Sequence, residues 1–135
     1  MKFSEITVKH QALLGVVNMT LPRKVSVAVS RNLSKIEKEI TLYNSQREDI
    51  AGRYARKDEQ GNYILDGNNY TFVSDENKEA FLQEAKELNE TDIDIDFMKF
   101  RAEELDRCDE VERYSIITPA QEMALEWMID YGDED

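Results

Sequence analysis

The chain has 135 residues and a formal charge of −12, from 17 Lys+Arg against 29 Asp+Glu, with an apolar share of 41%. That length fits a single domain, 1–135, with a real core, and the apolar share separates it from a disordered acidic tail. A uniformly acidic surface repels a nucleic-acid backbone, so direct binding of DNA or RNA is not expected.

Segment 4–18 reads as a short helix with an apolar face of Ile6, Leu13, Leu14, Val16 and Val17, weakened by Gly15. Pro22 then stands where a helix can begin. From Val25 the apolar positions Val29, Leu33, Ile36, Ile40, Tyr43, Ile50 and Tyr54 step by fours and threes, interrupted by Arg47. No Pro or Gly falls between Arg23 and Ala51, so the pattern predicts one helix over about 22–56. Such a helix either projects or serves as a spine. Its seam needs a partner, either within the chain or in a second copy through Val29, Leu33, Ile36, Ile40, Tyr43 and Ile50. Arg47 reads either as a device that fixes the register of the seam or, the favoured reading, as a side chain whose stem covers apolar surface while its head stays in water.

The periodicity then changes. Residues 62–65 and 70–73 are β-rich runs around Asp66-Gly67-Asn68-Asn69, which predicts a hairpin over 62–73. Ser74 or Asp75 can cap a helix over 75–89 with an apolar face of Phe81, Leu82, Ala85 and Leu88. Segment 91–97 alternates, with Ile93, Ile95 and Phe97 on one side and Asp92, Asp94 and Asp96 on the other. That is the pattern of a half-buried strand with an acidic outer face, able to join the hairpin. Residues 98–117 carry an acidic stretch from Glu103-Glu104 to Glu112 but no decisive period. Thr118-Pro119-Ala120-Gln121 is a capping box with Pro at the first helical position. The helix it opens carries Met123, Ala124, Trp127, Met128 and Tyr131, with Gly132 as its stop and Asp133-Glu134-Asp135 as a fraying tail. The whole reads as an α+β, helix-rich fold: one long helix, two or three shorter ones and a small antiparallel sheet.

The inventory of reactive residues narrows the chemistry. Cys108 is the only cysteine and His10 the only histidine. No internal disulfide can form, which points to a reducing, cytoplasmic setting. Structural zinc lacks its ligands, and His10 in Lys9-His10-Gln11 has no nucleophile motif to serve. The five glycines form no phosphate loop. The start of the chain carries no signal-peptide pattern, and no apolar run approaches a membrane span. Asp92, Asp94, Asp96 and Glu103 fall at positions 1, 3, 5 and 12 of a calcium loop, but Phe97 stands where the required turn glycine would be. No catalytic residue, metal site or cofactor is expected, and the chain reads as a protein other than an enzyme.

Charge divides the chain. Residues 1–57 carry eleven Lys/Arg and five Asp/Glu, a net of +6; residues 58–135 carry six and twenty-four, a net of −18. The cations Arg47, Arg53, Arg56 and Lys57 gather at the end of the long helix, as its dipole favours. Even complete pairing between the halves leaves acidic surface over. Asp92, Asp94, Asp96, Glu103 and Glu104 are the candidate partner-binding residues, because an all-acid strand face calls for a basic partner.

The order of features resembles the DUF1617 family of small phage and prophage proteins of Gram-positive bacteria. The residues that carry this are Tyr43-Asn44-Ser45-Gln46-Arg47, the stretch Tyr54 to Asn62, Glu87-Leu88-Asn89, Asp92-Ile93-Asp94-Ile95, and the Thr118-Pro119 helix ending in Trp127-Met128-Ile129. The resemblance implies a phage origin and a non-enzymatic role and carries over no site residue. Two functions fit. One is an acidic protein-binding module in the host cytoplasm, an inhibitor that imitates DNA charge and occupies the basic surface of a host defence protein. The other is a structural or assembly component of a phage particle acting through the long helix.

Overall fold

The computed structural model describes residues 1–132; the acidic tail expected to fray lies outside them. The apolar seam forms one continuous helix. Following the short α1 (Phe3–Leu14), α2 (Arg23–Tyr54) runs for 32 residues, about 48 Å at the helical rise of 1.5 Å per residue. Pro22 is its N-cap residue. Val25, Val29, Ile36, Tyr43 and Ile50 are buried, while Arg31, Ser34, Lys35, Lys38, Thr41 and Ser45 face water.

The seam finds its partners within the chain. Along the first half of α2, Val25, Ala28, Val29 and Ile36 pack with Ile6, Leu13 and Val16 and with Phe100, Leu105, Cys108, Leu125 and Met128 from the second half of the sequence. Leu33 and Ile40 pack at the margin of this core. Around the far end, Ile50, Ala51 and Phe81 form a second cluster with Tyr54, Tyr63, Tyr70, Phe72 and Leu88. Tyr43 joins the two regions: its ring stacks on Phe3 at 3.6 Å and its hydroxyl donates to Asn89. Each fully buried Leu or Ile contributes roughly 1.5–3 kcal/mol. A homo-oligomer built on Val29, Leu33, Ile36, Ile40, Tyr43 and Ile50 would have to displace these contacts first. Arg47 is half-buried and lines an open cavity beside Asp66, Tyr70 and Phe72.

The hairpin forms but is shorter than its β-rich runs. β1 (Leu65–Asp66) pairs antiparallel with β2 (Asn69–Tyr70), Leu65 opposite Tyr70 and Asp66 opposite Asn69. Gly67 takes φ +64° at the first turn position, a conformation that costs glycine nothing. Single bridges, Ala55 to Phe72 and Lys57 to Tyr63, dock the hairpin arms on the chain leaving α2. α3 (Asp75–Glu90) follows, its cap Ser74 accepting from the Asn77 amide at 3.2 Å. Phe81 and Ala85 are buried, but Leu82, read as part of the apolar face, is exposed.

Segment 91–97 departs from expectation. Its alternation is right, since Ile93, Ile95 and Phe97 are half-buried and Asp92, Asp94 and Asp96 exposed, yet it pairs with no strand of the hairpin. The reason is distance. The hairpin sits at the far end of α2, and the 16 residues of α3 carry the chain about 24 Å back along it. Segment 91–98 therefore lies along the middle of α2, from the level of Gln46 and Tyr43 down to Asn32, as an extended run without a sheet.

Residues 98–117, for which the sequence suggested no element, contain two. β3 (Phe100–Arg101) pairs parallel with β4 (Ile129–Asp130), and α4 (Glu103–Glu110) follows with Leu105 and Cys108 turned inward. The last helix is shorter than expected. α5 (Pro119–Leu125) opens on the full capping box of Thr118 and Gln121, tightens into a 3₁₀ turn at Glu126–Met128 and then extends into β4. Its buried residues are Leu125 and Met128, whereas Met123 and Tyr131 are exposed. Gly132 follows a strand rather than a helix. Trp127 packs at the core margin, edge-on to Phe97 at 4.7 Å and beneath the Lys9 ammonium at 5.2 Å. Among the described residues no helix is long and apolar enough to cross a membrane.

Candidate acidic interface

The acidic segment is a rail fastened at three points. At its start, Met1 and Ile93 exchange two main-chain hydrogen bonds, Met1 N to Ile93 O at 2.9 Å and Ile93 N to Met1 O at 2.7 Å. Near its end, the Lys35 ammonium donates to the Asp96 carbonyl. At Met98, Asn32 takes the place of a neighbouring strand: its Nδ2 donates to the Met98 carbonyl at 2.8 Å and its Oδ1 accepts from the Met98 amide at 2.7 Å. Asn32 is a fully buried polar side chain within the core. A buried amide is stable only with its partners in place, and here both ends of the amide group are answered. Neither Asn32 nor Lys35 stands out by residue type; the available cue was that Asn32, a polar residue three positions after Val29 and four before Ile36, falls on the inward side of the period.

The fastening decides where the carboxylates point. Asp92, Asp94 and Asp96 are all exposed on alternate residues of an extended chain, about 6.6 Å apart. The Met1 nitrogen lies 4.0 Å from an Asp92 oxygen; Lys35 answers the main chain of Asp96, leaving its carboxylate to solvent. Asp92 and Asp94 also border a groove of about 270 Å³ whose opposite wall includes Glu39, Tyr43 and Gln46 of α2. Glu39 thus joins the acid surface from the half of the chain that is basic on balance.

The two glutamates divide. Glu103 is exposed at the start of α4 with Arg101 at 3.4 Å. Glu104 is turned inward, its side chain 16% exposed, and pairs with Arg107 at 3.1 Å. It answers a cation of its own helix and so does not belong to the free acidic face. The calcium-loop spacing does not close into a loop: among the described residues no three His, Cys, Asp or Glu side chains gather as a metal site requires.

Several of the remaining singled-out groups have local partners. His10 faces Glu37 across α1 and α2 at 3.3 Å, as a helix-face histidine does. At the end of α2, Arg53 pairs with Glu84 at 2.9 Å and Lys57 lies 5.1 Å from the Tyr63 ring centre. Tyr54 also donates to Glu84, and that bond to a carboxylate holds its phenol above the ordinary value of 10.0. Burial pushes the Cys108 thiol up, and neighbouring Asp109 adds to it. A buried, protonated thiol is a poor nucleophile.

No protein-family model, curated protein or solved structure matches the chain.

Proposed function

We propose that this protein is a small, non-enzymatic binding module whose acidic rail occupies the basic, nucleic-acid-binding surface of another protein, in the manner of an inhibitor of a host defence enzyme. The observation that carries this reading is the exposure of Asp92, Asp94 and Asp96 on one side of a main chain tied to α2 by Asn32 and Lys35. The three charges span about 13 Å of extended chain. A DNA strand presents one phosphate per 3.4 Å of axis, so the rail carries about half the linear charge density of one strand and the same sign. Because the segment is already ordered, binding costs little further conformational entropy. Charge complementarity of this kind governs association rate and partner choice, and it weakens with salt.

The phage-particle reading asked for an interaction through the long helix. The apolar seam of α2 is covered by α1, α3 and the later elements, and its outward side is polar apart from Leu42, which favours the acidic module.

The test is a panel of DNA-cleaving enzymes with basic clefts, each assayed on duplex DNA with and without the protein at about 50 and 200 mM salt, a range over which charge-driven contacts weaken strongly. Inhibition relieved by salt and by excess DNA is expected, with loss in the triple variant D92N/D94N/D96N. A triple variant as potent as the parent, or a panel left untouched, refutes the reading.

A further inference from the structure

A cavity lies away from the acidic rail, where the start of α2 meets the end of α4. It holds about 570 Å³, within the size range of small-molecule sites. Arg23 and Ser26 come from α2, Arg107 from α4, Arg113 and Tyr114 from the turn that follows, and Leu21 closes one side.

Three guanidinium groups therefore line one cleft of a protein whose formal charge is −12. Two of them converge on a single atom: the Tyr114 hydroxyl oxygen accepts from Arg107 Nη2 at 3.2 Å and from Arg113 Nη2 at 3.0 Å. The same two cations lie 5.5 and 4.9 Å from the centre of the Tyr114 ring. Like charges held this close repel unless an anion answers them. Among the described residues the one carboxylate that does so is Glu104, which pairs with Arg107, and neither Arg23 nor Arg113 has an ion-pair partner. With both acceptor positions of the phenol filled, its O–H is left to donate. α2 adds to the imbalance, since its first turn carries Arg23 and Lys24, no acid and no side-chain cap, against the preference of a helix start for negative charge.

We propose that this cleft binds the phosphate group of a small phosphorylated molecule such as a nucleoside phosphate. Arg23 and Arg113 pair with its oxygens, and the planar fork of each guanidinium suits that geometry. The Tyr114 and Ser26 hydroxyls supply neutral donors, and a cleft of this size leaves room for more than a bare phosphate. The overall charge makes the site discriminating. An acidic protein does not attract anions in general, so saturable anion binding must come from a local cluster. This inference is independent of the acidic rail and of what binds there.

The experiment titrates the full chain with inorganic phosphate, pyrophosphate and metal-free ATP, by calorimetry and thermal shift, against sodium chloride at matched ionic strength. Saturable binding of ATP or pyrophosphate is expected, with a rise in Tm beyond that of chloride. Affinity should fall at least tenfold in R23Q/R113Q, whose two sites are exposed, and severalfold in Tyr114→Phe, which keeps the ring. Circular dichroism confirms that the variants fold. No saturable binding above the chloride control overturns the proposal, as does equal binding by R23Q/R113Q. Inorganic phosphate binding as tightly as ATP overturns the claim of a larger ligand.

Discussion

Replacing Asn32 with Ala should unfasten the acidic rail without altering a single charge. Asn32 is fully buried and holds both the amide and the carbonyl of Met98, at 2.7 and 2.8 Å. Removing it leaves two main-chain groups without partners, at about 1–3 kcal/mol each when buried. Met98 is only half-buried, so water answers part of the loss, and the expected cost is about 2–4 kcal/mol. That is a large fraction of the roughly 5–15 kcal/mol that keeps a domain folded, and it corresponds to a Tm drop on the order of 10 °C. Denaturant unfolding gives the magnitude, and hydrogen exchange at Met98 locates it: its amide should exchange much faster while the amides of α3 change little. Asn32→Asp supplies a signed control. Its carboxyl would face the Met98 carbonyl in a dry site, so its folded pKa would lie above the unfolded one. The protonated acid can both donate and accept, so stability would be present at low pH and lost as pH rises through the folded pKa. A loss below about 0.5 kcal/mol in Asn32→Ala, within the usual range for an inconsequential surface change, with Met98 exchange unaltered, would refute the claim that Asn32 holds the rail.

Other outcomes follow from the same structure. Neutralising Asp92, Asp94 and Asp96 together should stabilise the isolated protein by up to about 1 kcal/mol at low salt, since neighbouring carboxylates about 6.6 Å apart repel by roughly 0.6 kcal/mol in water. The gain, read by chemical denaturation, should fade as salt is raised. Thr118→Ala should cost about 1 kcal/mol through loss of the capping box at α5, and Thr118→Ser should restore most of it. Because Tyr54 donates to Glu84 and its folded pKa is raised, that bond contributes below the unfolded pKa and is lost as pH rises through the folded one. Tyr54→Phe should therefore flatten the alkaline limb of a Tm-against-pH curve, and an unchanged limb would count against the bond. Cys108, buried with a raised pKa, should alkylate with iodoacetamide at least tenfold more slowly in the native protein than in denaturant, a difference set by thiolate fraction and access.

The elements most legible in the sequence are those fixed by local rules. The four-three spacing from Val25 to Tyr54, unbroken by Pro or Gly up to Ala51, specifies α2 almost to its ends. Asp66-Gly67 specifies the turn at positive φ, and Thr118-Pro119-Ala120-Gln121 specifies the start of α5. The in-and-out alternation of Asp92 to Phe97 was also legible, because it depends only on the period of an extended chain. Its pairing was not. Whether that segment meets a hairpin strand or a helix depends on where α3 delivers it, and no local pattern encodes that distance.

The candidate sites divide along the same line. Sequence alone determined that carboxylates would crowd the second half of the chain and that three of them would share one side of an extended run, since composition and spacing suffice for both. Only the tertiary structure decided that Glu104 is spent on Arg107, that Glu39 joins the acid surface, and that Asn32 and Lys35 hold the rail in place. It alone brought Arg23 to Arg107 and Arg113, more than eighty positions apart in the chain. The physical reason is common to all of these. Which charges are answered and which are left over is settled by side chains distant in sequence that meet across a core, and a local period carries no information about such meetings.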